Sequence, residues 1–247
     1  MAAKFLIFIM NKQNKKIELV DLGYQNYKDT LSVQERFFNE IISVKRANRS
    51  KDSKDLTKNY LFWVEHPPVI TLGKSGKNEH LLLNDDLLKQ KGIEFYKTNR
   101  GGDITFHGPG QIVGYPILDL DNFFTDIHKY LRFLEQAVIN TLKEYGLETA
   151  RSEGETGVWL DAKTPFSRKI CALGVRASRW VTMHGFALNI NTDLDYFNYI
   201  IPCGIKEKGV TSLAKELGFS VPLSEVKEKL KYHLSILFEA QFQEQKL

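Results

Sequence analysis

The chain has 247 residues, 43% of them hydrophobic and 26% charged, with a formal net charge of +4. This composition suits a soluble globular chain able to bury a full core, and with no long Lys/Arg run it gives no ground for a nucleic-acid partner. Two cysteines, Cys171 and Cys203, are too few for a disulfide framework and fit a reducing cytoplasm. No apolar run reaches membrane-spanning length: FLIFIM at 5–10 is six residues and reads as a first strand, too short for a signal-peptide core. Phe37, Phe38, Ile41 and Ile42 share one helical face, with Asp29 or Thr30 as the N-cap, and the polar stretch 48–59 reads as an exposed loop. YLFWVEH (60–66) and VITLG (69–73) read as strands broken by Pro67 and Pro68, and so does QIVGYPILDL (111–120), where Pro116 points to an edge strand or a bulge. Ile127, Leu131, Leu134, Val138 and Leu142 line a second helix that ends before Gly146. GVWLD (157–161), KICALGVR (169–176) and MHGFALNI (183–190) are strand-like, with a turn at 161–168. The last helix starts near Ser224 and packs through Val226, Leu230, Leu234, Leu237 and Phe238. With no repeat and no Gly/Ser/Pro linker, residues 1–247 read as one α/β (α+β) domain, a mixed sheet with flanking helices.

Two blocks carry the chemistry. In RGGDITFHGPGQ (100–111) the glycines let backbone N–H groups approach a ligand that a β-carbon would hold off. A loop built for geometry alone does not explain why Arg100, Asp103, Thr105, His107 and Gln111 crowd the same dozen residues. GKSGK (73–77) lacks the spacing of a phosphate-binding loop and reads as a lysine-decorated turn. In the second block Lys169 opens an otherwise apolar strand. Such a lysine is solvated in the plain reading and a usable base if it faces a partly desolvated pocket. Ala172, Gly174, Gly185 and Ala187 are small enough to leave an apolar slot between neighbouring strands, of a shape that takes an acyl chain.

Downstream of both blocks, Cys203 stands between Pro202 and Gly204. Proline fixes φ and glycine tolerates conformations other residues avoid, so the turn can hold a thiol at the mouth of a pocket. An isolated cysteine of this kind reads as a buried loop residue; the two blocks upstream change that reading.

EHPPVITLG, RGGDITFHGPGQ, RKICALGVR, MHGFALNI and IPCG occur in that order, and together they resemble the octanoyl-[acyl-carrier-protein]:protein N-octanoyltransferases of lipoate biosynthesis over roughly residues 60–215. The resemblance implies the fold of biotin and lipoate protein ligase catalytic domains. It further implies transfer of octanoyl from acyl carrier protein to a lysine of lipoyl domains, those of 2-oxoacid dehydrogenase and glycine cleavage complexes, in the cytoplasm and without a cofactor. It maps the acyl-carrying thiol onto Cys203 and the general acid/base onto Lys169. Its substrate-lining segments map onto Arg100, Gly101, Gly102, Asp103, Ile104, Thr105, Phe106 and His107, onto Ala172, Leu173 and Gly174, and onto Gly185, Phe186 and Ala187. His66 and His184 become supporting residues that ring the site with His107. Since such carriers are acidic, a basic face at 164–181, with Arg168, Lys169, Arg176 and Arg179, becomes the expected docking surface.

Rival readings are weaker. An ATP-dependent lipoate or biotin ligase has no need of the Pro-Cys-Gly thiol, and the local signatures of thiol proteases are missing. No CxxC or HxxxH suggests a metal site. A non-catalytic carrier-binding module has no need of both Cys203 and Lys169.

Overall fold

A computed structural model describes residues 13–50, 55–201 and 209–245; the strand expected at 5–10 and the Pro-Cys-Gly turn lie outside these. β1 (Lys16–Tyr24) leads through α1 (Tyr27–Ala47) to β2 (Tyr60–Glu65) and β3 (Val69–Leu72). After α2 (Asp85–Gln90) come β4 (Glu94–Lys97), β5 (Ile104–His107) and β6 (Gln111–Ile117), then α3 (Ile127–Lys143). β7 (Ala150–Ser152), β8 (Glu155–Leu160), β9 (Arg168–Ser178) and β10 (Val181–Asn189) follow. β11 (Gly209–Val210), α4 (Leu213–Leu217), α5 (Leu223–Phe238) and β12 (Gln241–Glu244) complete the described chain.

The main sheet runs β12-β1-β2-β6-β10-β9-β8-β7, with β11 paired to β9, and a smaller one runs β4-β3-β5. The sheets are mixed, as expected: β12, β1 and β2 are parallel, whereas β6, β10, β9 and β8 alternate in direction. Period-two alternation assigns each strand's side chains to two cores. Leu61, Trp63 and Ile112 pack with Leu134 and Val138 of α3 and Leu230 and Leu234 of α5. Tyr60, Phe62 and Val113 point the other way, onto Phe37, Phe38, Ile41 and Ile42 of α1. The main sheet is therefore covered on both faces. A third cluster, built on Ile70, Leu88, Ile104 and Phe106, seats the small sheet and ends at Ile200. No helix among the described residues is long and apolar enough to cross a membrane.

Two local expectations need correction. α1 starts a turn earlier than its apolar face suggests, with Asn26 at the N-cap. Thr30 instead donates its hydroxyl to the Asn26 carbonyl, and Asp29 sits in the first turn, where its charge meets the positive end of the helix dipole. Pro116 does not mark an edge: β6 is central, and Pro116 is in register with Leu61 of β2. Its missing N–H is accommodated on the β10 side, where the Pro116 carbonyl accepts from the Thr182 hydroxyl and that hydroxyl accepts from the Leu118 N–H. His184, in the same stretch of β10, takes φ 59°.

β6 and β10 approach so closely here that a β-carbon on Gly185 would lie 2.0 Å from the Gly114 carbonyl oxygen and 2.7 Å from Pro116 Cδ. Neither backbone nor proline ring can swing aside. Gly185→Ala is expected to destabilise the fold by about 3 kcal/mol, the upper end of ordinary overpacking costs. A urea midpoint equal to that of wild type would show that the two strands can part.

Candidate active site

The glycine-rich blocks converge on one cavity of about 510 Å³, within the range of roughly 300–1,000 Å³ usual for small-ligand sites. One wall is the β9–β10 pair. Gly174 lies opposite Gly185, Leu173 opposite Phe186 and Ala172 opposite Ala187, and all six line the cavity. This is the apolar slot expected from the small residues.

The second wall comes from the 100–107 block. Arg100 is buried, and its Nη2 donates to the Thr71 carbonyl at 2.8 Å and to the Thr71 hydroxyl at 2.9 Å. The Gly101 N–H donates to the Val175 carbonyl, fastening the turn to β9. Asp103 meets His80 Nδ1 at 2.7 Å. The N–H groups of Gly73, Lys74 and Ser75 donate to carbonyls of Asp103, Arg100 and Gly102, so GKSGK acts as a clasp on this turn. Arg100, Gly101, Gly102, Asp103, Ile104, Thr105 and His107 all line the cavity. Phe106 does not: it turns to the other side and stacks on Tyr196 with centroids 4.6 Å apart.

The three histidines are neutral for one dominant reason, burial. His107 is pushed down to about 3, by loss of solvent and then by the neighbouring His66. Its Nδ1 donates to Gln111 Oε1 at 2.8 Å, because the Gln111 amide nitrogen itself donates to Asn189 Oδ1 at 2.8 Å. His184 is likewise lowered to about 3, by burial and then by Arg100 and Arg176; its Nε2 donates to Asn99 Oδ1. His66 falls to about 4 through burial. It does not line the cavity but sits one layer behind it, its Nδ1 donating to the Gln25 carbonyl and its Nε2 accepting from the Tyr115 hydroxyl at 2.8 Å. The expected ring of histidines is thus two lining residues and one behind. Tyr115 and Tyr27 stand in the third place; Tyr27 lies parallel to His107 at 6.3 Å, and burial raises its hydroxyl to about 12.

Lys169 is buried in the opposite end of the wall. Its Nζ lies over the Trp159 ring, 4.5 Å from the centroid, and its backbone is in register with Trp159 on one side and Val210 on the other. Cys171 is fully buried, and burial pushes its thiol well above the usual range, which fits a packing role. Cys203 lies outside the described residues. The chain on its near side borders the cavity through Phe197, and on its far side through Gly209 and Val210.

Sequence reasoning missed Tyr27, Tyr115 and Trp159; alternation along β6 and β8 could have flagged the last two, and nothing flags Tyr27. Of the four basic residues expected to form a face at 164–181, Arg179 is exposed and the other three are otherwise engaged. Arg168 is held by Asp161 and Glu216, Lys169 turns inward, and Arg176 lies over the Phe38 ring at 5.0 Å. Among the described residues no cluster of His, Cys, Asp or Glu is arranged to hold a metal ion.

The family model for the lipoyl protein ligase A/B catalytic domain matches residues 26–235. An octanoyltransferase of Flavobacterium johnsoniae is 66% identical over 229 residues, covering 92% of this chain and 99% of its own length. One of Christiangramia forsetii is 63% identical over 233 residues, covering 94% and 100%. In fold the chain is similar to a structure of the bipartite lipoate protein ligase system of Thermoplasma acidophilum, with TM-score 0.66, 20% identity and coverage of 95% and 87%. It is also similar to lipoate-protein ligase A bound with ATP, at TM-score 0.66, 19% identity and coverage of 95% and 90%. At such identities the structural likeness speaks to the fold alone, and the fold agrees with the mixed α/β architecture expected.

His66 gives a pH test. Its folded value near 4 lies below the ordinary 6.5, so its contribution to stability is complete above pH 6.5 and is lost as pH falls toward 4. His66→Gln should flatten the fall of stability between pH 6.5 and 4.5 by about one proton, or about 1.4 kcal/mol per pH unit. Urea midpoints measured across that window check this, and parallel curves for the two proteins would contradict it.

Proposed function

The chain belongs to the lipoyl protein ligase A/B catalytic domain family and is an acyltransferase, and on that footing we propose that it moves an octanoyl group from octanoyl-acyl carrier protein to the ε-amino group of a lysine on lipoyl domains. The acceptors are the lipoyl domains of 2-oxoacid dehydrogenase and glycine cleavage complexes. Residues 1–247 act as one catalytic domain in the cytoplasm. The observation that carries this reading is the place of Lys169: buried in the cavity wall and paired in register with the strand on which the chain returns from Cys203.

The chemistry needs no activation by nucleotide, because the carrier's thioester is already activated. The Cys203 thiol gives its proton to Lys169, and the thiolate attacks the thioester carbonyl. A carbon–sulfur bond to the enzyme forms, the bond to the carrier sulfur breaks, and the proton passes to the departing thiolate. In the second half the acceptor amine attacks the enzyme thioester and Lys169 takes its proton. The amide forms, Cys203 leaves as thiolate, and the proton returns to it. Between the halves the acyl chain lies in the slot lined by Ala172, Leu173, Gly174 and Gly185, Phe186, Ala187, with the 100–107 block closing its far side.

Incubation with octanoyl-carrier protein and no nucleotide should add one octanoyl mass to the intact enzyme, removable by hydroxylamine. Labelling that persists in Cys203→Ala, or that requires ATP in wild type, would overturn the thioester mechanism; Cys171→Ser should stay active. Lys169→Ala should slow transfer by roughly 10²–10⁴-fold, the range for a lost general base. Lys169→Arg should fail nearly as badly, since guanidinium does not release its proton. An arginine variant with near wild-type turnover would leave Lys169 a purely electrostatic role.

A further inference from the structure

One buried carboxylate stands close to the site without facing the cavity. Glu135, in the middle of α3, has a fully buried side chain where a helix packed on a sheet ordinarily presents an apolar one. Its Oε2 meets Arg132 Nη1 at 2.8 Å and Arg151 Nε at 2.9 Å, and its Oε1 accepts from the Gly157 N–H at 3.0 Å. Arg151, on β7, also donates to the Arg132 carbonyl and to Gln136 Oε1, so the carboxylate is clamped from the strand side. Replacing a buried ion pair by well-packed apolar residues of the same volume is often neutral or stabilising. Stability alone therefore gives little reason for a carboxylate here.

What Glu135 holds is an irregular piece of β8. Gly157 has φ 136°, a conformation closed to side-chain-bearing residues, and the β8–β9 register shifts between Val158 and Trp159. A β-carbon on Gly157 would lie 2.8 Å from the Cys171 carbonyl oxygen and 3.3 Å from Lys169 Cε. The Lys169 stem thus lies against the bare backbone of Gly157, and its Nζ rests on the Trp159 ring two residues further on. Bulges of this kind re-aim side chains beside functional sites.

We infer that Glu135 is a positioning residue for Lys169: by taking the Gly157 N–H from the helix side it fixes the irregularity in β8 against which the lysine lies. The inference rests on the proton-transfer role given to Lys169 above. In that role Nζ must meet first one sulfur and then a nitrogen within hydrogen-bond reach, so a small displacement matters.

The test is a double-mutant cycle on steady-state octanoyl transfer from the carrier thioester to a lipoyl domain. Glu135→Leu removes the acceptor for Gly157 and should lower kcat by roughly 10²-fold, the cost of misplacing a reacting group by about 1 Å, with KM for the carrier little changed. Glu135→Gln keeps an oxygen facing Gly157 and should recover most of that loss. In a Lys169→Ala background the same Glu135→Leu change should cost less than about twofold, because the two residues act as one unit. Should Glu135→Leu not fold, Arg151→Met carries the same cycle, since that side chain is one-third exposed. Equal losses in both backgrounds, or wild-type kcat in Glu135→Leu, would overturn the inference while leaving Lys169 in its role. Full activity in Lys169→Ala would overturn the role itself.

Discussion

The floor of the cavity depends on one run of buried hydrogen bonds in which each group can donate in only one direction. Arg100 donates to the Thr71 hydroxyl, which faces His107 Nε2 at 3.4 Å; His107 Nδ1 donates to Gln111, Gln111 to Asn189, and Asn189 to the Thr211 carbonyl. Thr211 closes the run by donating its own N–H to the Lys169 carbonyl. The chain crosses from β3 through β5, β6 and β10 to the segment behind β11, and so joins the small sheet to the large one. Inside a protein each broken link leaves a polar group unpaired at about 1–3 kcal/mol. Only a neutral His107 can receive from Thr71 and donate to Gln111 at once, and burial holds it neutral.

The main sheet is irregular in several places: β1 slips against β2 between Asp21 and Tyr24, away from the cavity, and three further departures lie nearer the site. Pro116 in a central strand, His184 at φ 59° and Gly157 at φ 136° belong to β6, β10 and β8, three strands that also line the cavity. β2, buried on both faces and away from the cavity lining, keeps an unbroken register with β6. Departures of this kind persist only where the surrounding packing over-determines them. Here the two apolar cores on either face of the sheet supply that packing.

Helical periodicity made α3 and α5 legible, and the alternation and bulk of YLFWVE made β2 so. β1 was not, because its charged residues alternate with Ile17 and Leu19 in a stretch that looks too polar for a strand lying between two others. β5, at four residues, was hidden inside a block that reads as glycine loop, and β11 and β12 are too short to carry a pattern. At the site, Lys169 and both glycine blocks could be read because chain neighbours converge on one function. Phe106 shares the first block and His66 the segment just before β3, yet their side chains turn one layer away, which proximity in sequence does not reveal. Tyr27 comes to the cavity from the first turn of α1, far from either block. Glu135 looks like an ordinary surface residue of an amphipathic helix until the packing of α3 on β8 is known.

β1 has β2 on one side and β12 on the other, with Lys16 beside Gln241 and Leu19 beside Glu244. During synthesis on the ribosome the first of these neighbours emerges soon after β1, whereas the second comes only after every other described strand. Until then β1 shows an open edge of unpaired N–H and carbonyl groups, the template on which nascent chains stick to one another. β12 closes that edge with Gln241, Gln243 and Glu244 exposed, so the outermost strand among the described residues also presents a polar rim to any second chain. A premature stop after α5 would therefore leave the site residues in the chain and yet release a protein with a tacky border, its fault one of solubility during birth and not of chemistry.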